Sequence, residues 1–110
     1  MFEQRALEHL LGQGLRLLER NWHCRFGEID LIMNDGDTLV FVEVRKRGSA
    51  QFGGAAASIT ATKLSKISAS ASLYLTKFQT TPPCRIDAVI FDSASASRLA
   101  EPTWMKNISQ

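Results

Sequence analysis

Histidine and cysteine are scarce in this sequence: His9 and His23 are the only histidines, and Cys24 and Cys84 the only cysteines. Their positions give neither a CxxC pair nor a four-ligand zinc set, so two reduced, structural thiols are expected. No apolar run approaches the roughly 20 residues that a membrane-spanning helix needs. Stretches such as Thr38 to Val44 are strand-length and interrupted by charge, and no membrane partner is expected. The N-terminus carries Glu3, Arg5 and Glu8 where a secretory leader would place a basic segment followed by an apolar one, so cytoplasmic residence is expected. Repeats and low-complexity tracts are also missing. A net charge of +2 is too small to identify a nucleic-acid binder, although a local basic face would still matter.

What is present is a foldable chain. Apolar residues make up 45% of the 110, enough for a single domain spanning 1–110 to bury a core. From Phe2 to Leu11, Ala6, Leu7, Leu10 and Leu11 recur at helical spacing, and Gly12 with Gly14 supply a stop. Leu15 to Trp22 reads as a first strand, with a continued helix as the alternative. Gly27 to Met33 and Thr38 to Arg45 are two β-rich runs flanking Asn34-Asp35-Gly36-Asp37, and Asp-Gly between such runs signals a hairpin.

After a loop from Arg47 to Gly54, the segment from about Thr60 to Leu75 carries Leu64, Ile67, Ala71 and Leu75 on one side, with Lys63, Lys66 and Ser70 elsewhere. Thr81-Pro82-Pro83 breaks the chain, and Arg85 to Phe91 is apolar enough for a fourth strand. Ser93 to Arg98 reads as a loop, while Trp104, Met105 and Ile108 suggest a tail that docks on the body. The expected order is αβββαβ, an α/β fold with a mixed sheet flanked by helices.

With a two-residue turn at Asp35 and Gly36, Asn34 faces Asp37 and Glu28 lies opposite Glu43. Glu28, Asp30, Glu43 and Arg45 then share one face, with Asp30 diagonal to Glu43, while Ile29, Leu31, Val42 and Val44 form the apolar face. Carboxylates crowded on one patch repel unless a cation compensates, and such an oxygen site suits Mg²⁺ or Mn²⁺. An ion held there can activate water and stabilise an in-line displacement at phosphorus, which makes phosphodiester hydrolysis the natural chemistry. At ~100° per residue Glu3 falls near the centre of the first helix's apolar stripe and can add a ligand; stabilising the helix N-terminus by its charge is the competing role. For Asp30 and Glu43 the competing reading is a solvated strand face balanced by Arg45.

The runs Gly27-Glu28-Ile29-Asp30-Leu31-Ile32 and Phe41-Val42-Glu43-Val44-Arg45-Lys46-Arg47 closely resemble the paired motifs of the YraN family of uncharacterised bacterial proteins. The resemblance extends to the pattern around Glu3 and Ala6, to Asn21, Phe52-Gly53 and Lys63, and to Arg85-Ile86-Asp87. These motifs in turn look like the D…ExK signature of restriction-endonuclease-like nucleases and, in order and spacing, resemble archaeal Holliday-junction resolvases. The resemblance implies a restriction-endonuclease-like core with Asp30 and Glu43 as metal ligands, the Val44 carbonyl as a further ligand and Glu3 as the acidic residue of the first helix. Glu28 belongs to the motif without a settled role.

Arg45 departs from the signature, which has lysine there. A guanidinium is effectively always protonated, so it can hold phosphate but not take a proton from water. Lys46, next to it, should face the other side of the strand.

These residues are compatible with three functions. The first is a Mg²⁺- or Mn²⁺-dependent endonuclease on structured or damaged DNA, with Asp30, Glu43 and Arg45 at the chemistry. The second is a non-catalytic nucleic-acid-binding module in which Arg45, Arg47, Lys63 and Lys66 contact phosphates. The third is a protein-interaction module, in which a homodimer or a DNA-processing partner supplies the basic footprint that one chain lacks.

Overall fold

The computed structural model describes residues 2–47, 59–92 and 102–109. The sequence opens with helix α1 (Phe2–Gly12), continues through strands β1 (Arg16–Cys24), β2 (Gly27–Asp35) and β3 (Thr38–Arg47), and after helix α2 (Ala61–Leu75) returns as β4 (Cys84–Asp92) and β5 (Thr103–Met105). This is the expected αβββαβ order with one short strand added by the tail. The Arg47 to Gly54 loop beyond Arg47 itself, the Phe52-Gly53 pair and the Ser93 to Arg98 loop lie outside the described residues. Among those described, no helix is long and apolar enough to cross a membrane.

Helix α1 ends where its sequence demands. The Leu15 N–H reaches the Leu10 carbonyl (3.1 Å) and the Gly14 N–H the Leu11 carbonyl (3.0 Å), with Gly14 at φ 97. These are the paired bonds of a Schellman motif, whose left-handed position glycine fills without strain. Leu15, just beyond it, is buried in the same cluster as Leu10. Of the two glycines read as a stop, Gly14 takes the special conformation. Helix α2 is capped by Thr60, whose side chain accepts from the Lys63 N–H at 3.1 Å.

The five strands lie in the order β1-β2-β3-β4-β5. Neighbours are antiparallel except β3 and β4, which run parallel because α2 carries the chain across between them. The helices cover opposite faces. Ala6, Leu7 and Leu10 of α1 pack on Leu31, Met33, Val40 and Val42; Ile67, Ala71 and Tyr74 of α2 pack on Ile29, Ile32, Leu39 and Phe41. Tyr74 meets both Trp22 (5.2 Å between ring centroids, 87°) and Phe41 (5.8 Å, 82°) edge to face, a geometry favoured by the aromatic quadrupole.

Two expectations need correction. The β2–β3 turn is Gly36-Asp37, closed by Asp35 opposite Thr38, rather than Asp35-Gly36. Only Gly36 has positive φ (62), so glycine takes the first loop position and the strained second one is avoided. Paired positions thus shift by two, an even shift that does not exchange the faces within the paired stretch from Leu31 opposite Val42 to Asp35 opposite Thr38. In α2, Ser70 belongs to the buried face beside Ile67, Ala71 and Tyr74 rather than away from it, because its hydroxyl meets the Cys24 thiol at 3.3 Å.

The tail docks through a buried carboxylate. Asp87, fully buried on β4, accepts from Arg85 Nε (3.0 and 3.1 Å), Trp104 Nε1 (3.0 Å) and the Asn107 N–H (2.9 Å). The Ile108 N–H adds a bond to the Ile86 carbonyl at 2.7 Å.

Candidate metal and nucleic-acid site

The site lies where β2 parts from β3. Their pairing ends at Leu31 opposite Val42, and the Val44 N–H bonds to Asp30 Oδ2 at 2.8 Å. The side-chain carboxylate has taken a place in the gap between the strands. On the other side of Asp30, Asn21 of β1 adopts φ 50, between the pairs Arg20–Leu31 and Trp22–Ile29. Asparagine tolerates that left-handed backbone better than most residues. Across this irregularity β2 changes sides: Leu31 packs toward α1 and Ile29 toward α2. Simple alternation, which put Ile29 with Leu31, Val42 and Val44, fails here because the strand does not remain regular through Asp30.

Asp30 and Glu43 meet. Glu43 is 9% exposed, and burial first, then the Asp30 charge, push its pKa up to about 7. Lys63 and Arg45 pull in the opposite direction without cancelling that rise. Asp30 is also raised, chiefly by burial and then by the Glu28 and Glu3 charges, against the bond from the Val44 N–H. The physical cause is that two carboxyls in a half-buried contact cannot both be ionised cheaply, so the pair gives up its last proton less readily than a free carboxyl would.

Glu3, Glu28 and Asp30 bring carboxylate oxygens within 4.8 Å of one another, while Glu43 joins this set through Asp30. Glu3 also pairs with Arg20 (3.6 Å) and Glu28 with His23 (3.9 Å).

Asp30, Glu43, Glu28 and Val44 line a cavity of about 330 Å³ whose wall also includes Arg45, Lys63 and Lys66. Arg45 Nη1 lies 3.6 Å from Glu43 Oε2, and Arg45 Nε is buried with no hydrogen-bond partner among the described residues. Lys46 points to the opposite face, its Nζ 5.2 Å from the Phe2 ring centroid. Arg47 closes β3, and its side chain lies outside the described residues. The structure thus brings Asp30, Glu43, Arg45, Lys63, Lys66 and Glu28 to one cavity and sets Glu3 beside Asp30. Phe26 and Ser70 also line the cavity, and sequence pattern does not single them out as site residues. For Ser70 a signal exists in its helical spacing from Lys63, Lys66 and Ile67.

The model of the uncharacterised protein family UPF0102 matches residues 2–91. The chain belongs to this family. A UPF0102 protein of Nitrosomonas europaea is 53% identical over 105 residues, covering 96% of this chain and 86% of the relative. Others from Janthinobacterium sp. (strain Marseille) and Neisseria meningitidis are 50% and 46% identical, covering 96% and 97% of this chain and 80% and 90% of those relatives. The matched segment of UPF0102 runs from α1 through β4 and contains every residue of the cavity.

The raised Glu43 pKa has a sign that can be measured. Between its ordinary value of 4.5 and about 7 the folded protein holds a proton that the unfolded chain has released, so stability falls as pH rises through that window. The expected loss is on the order of 2 kcal/mol. Thermal unfolding in a metal-free buffer should show it, and Glu43→Gln should flatten the profile. A Glu43→Gln profile as steep as that of the unaltered protein would remove Glu43 as the source.

Proposed function

We propose that this protein is a metal-dependent endonuclease acting on structured or damaged DNA. The observation that carries the reading is the Asp30–Glu43 contact inside a cavity whose other charged walls are Glu28 and the cations Arg45, Lys63 and Lys66. The donors fit a hard divalent cation: they are carboxylate oxygens, crowded enough to retain a proton, and a cation would relieve the repulsion that holds it. Asp30 and Glu43 would hold Mg²⁺ or Mn²⁺, with Glu3 and Glu28 adjoining. Bound there, the ion would lower the pKa of a coordinated water and offset charge at the scissile phosphate. Arg45, Lys63 and Lys66 would grip phosphates on either side of that bond, with Arg45 acting as a fixed cation rather than a base.

The deciding experiment titrates Mg²⁺ or Mn²⁺ into the protein and its Asp30→Ala variant, then assays both on junction, flap, single-stranded and duplex DNA. Saturable binding and cleavage, both abolished in Asp30→Ala, are expected. Arg45 specifically favours a second reading, a non-catalytic nucleic-acid-binding module, and metal binding without cleavage of any substrate would select it.

Three substitutions refine the roles. Arg45→Lys should raise metal-dependent cleavage by up to about 100-fold, the lower end of general-base effects, because lysine can orient water or, with its pKa depressed, take up a proton. Strong cleavage by the Arg45 protein that disappears in the lysine variant would instead assign the guanidinium fork to phosphate. Reversing charge with Lys63→Glu and Lys66→Glu should weaken DNA binding uniformly across sequences and make its salt dependence shallower by about one for each lysine that grips a phosphate. Unchanged affinity and slope would take α2 off the binding surface.

A further inference from the structure

A second, more open hollow of about 710 Å³ adjoins the acidic cavity and shares Phe26 and Lys66 with it. Among the described residues its charged lining is Arg25 and Lys66, with no carboxylate bordering it. The rest is small: Ala61, Thr62, Ser65 and Ala69 along the first turns of α2 leave room for a guest. Phe26 stands in the two-residue loop between Cys24 and Gly27, 39% exposed, in contrast to the buried core aromatics such as Phe41. The Arg25 guanidinium lies 4.8 Å from the centroid of its ring. A flat aromatic backed by a guanidinium, open to solvent and flanked by cations, suits a flat, uncharged ring joined to a negatively charged group.

We infer that this hollow receives an unpaired nucleotide, its base stacked on Phe26 and its phosphate against Arg25 and Lys66. The inference rests on the phosphodiester reading of the Asp30–Glu43 cavity and deepens it by naming the substrate class: DNA with a single-stranded segment beside the bond to be cut. Lys66 is the link, because it lines both hollows and a phosphate bound to it belongs to a strand that passes from one to the other. In a blunt duplex the bases are already stacked on one another, and Phe26 has nothing to take up. A strand end or flap offers bases at little unstacking cost.

The test compares the unaltered protein with Phe26→Ala and Phe26→Trp, using a single-stranded oligonucleotide bearing 2-aminopurine and a blunt duplex of equal length, without divalent ions. Phe26→Ala should weaken single-strand binding about tenfold, the size expected for removing one base–aromatic stack, and leave duplex affinity unchanged. The 2-aminopurine fluorescence should be quenched by the unaltered protein and by Phe26→Trp but not by Phe26→Ala. Equal weakening on both ligands, none on either, or no quenching by the unaltered protein would overturn the inference. Its failure is separable from failure of the nuclease reading. If metal-dependent cleavage occurs with a substrate preference indifferent to Phe26, the stacking site falls and the nuclease stands. If nothing is cleaved but quenching still depends on Phe26, the stacking site stands and the nuclease falls.

Discussion

Asp30→Asn is expected to abolish metal-dependent cleavage and to weaken Mn²⁺ binding by at least about 100-fold, since loss of a supporting partner alone can cost that much in metal sites. The effect should be large because Asp30 is the residue on which the acidic groups converge. It touches Glu43, lies within 4.8 Å of Glu3 and Glu28 oxygens, and is held in place by the Val44 N–H. An asparagine can keep that bond through its amide oxygen, so the fold should survive and the loss should be one of charge. Indeed, removing one of two crowded carboxylates should leave the metal-free protein as stable as before or more so above about neutral pH. Calorimetric titration of Mn²⁺ and a cleavage assay on the same preparation provide the measurement. Undiminished metal-dependent cleavage by Asp30→Asn would end the case for this site.

Asp87→Ala should destabilise the fold by about 3–5 kcal/mol, the range for removing one partner of a buried ion pair. Asp87 is fully buried and satisfies Arg85, the Trp104 indole and the Asn107 backbone at once. Without it, the half-buried Arg85 keeps, among the described residues, the carboxylate of Asp35 at 2.9 Å, and the tail loses its anchor. Thermal unfolding should show a midpoint lower by more than about 10 °C, and Trp104 fluorescence should report the tail's release. Asp35→Ala is the control. That carboxylate is 39% exposed, so its pair with Arg85 should be worth no more than about 1 kcal/mol. A cost for Asp87→Ala as small as this would mean that the network adds little to stability.

Particular residues mark how far local pattern carries. Helix α1, the two β-rich runs, the α2 segment and the strand after Pro83 are legible because periodicity, a Gly stop and a Pro break act over a few residues. Asp30 and Glu43 stand out in the same way, as charges inside otherwise apolar strand runs. Glu28 is legible as part of the patch but not as a neighbour of Glu3: α1 has to be laid on the sheet before their oxygens can come together. Asp87 reads as an ordinary strand acid until the tail's Trp104 and Asn107 close over it.

The sequence by itself determined the order of the elements from α1 to β4, the two carboxylates at the centre of the candidate site and the family to which the chain belongs. Those depend on residue types at short spacing, which no distant contact can change. Tertiary structure decided the rest. Positive φ at Gly36 alone set the turn and moved the register by two; the left-handed Asn21 and the end of the β2–β3 ladder turned Ile29 toward α2 and Asp30 toward Val44. The packing of α2 buried Ser70 and placed Lys63 and Lys66 on the cavity wall. Each is a choice between backbone conformations or facing surfaces whose energies differ through contacts made far along the chain, so a local window of sequence leaves it open.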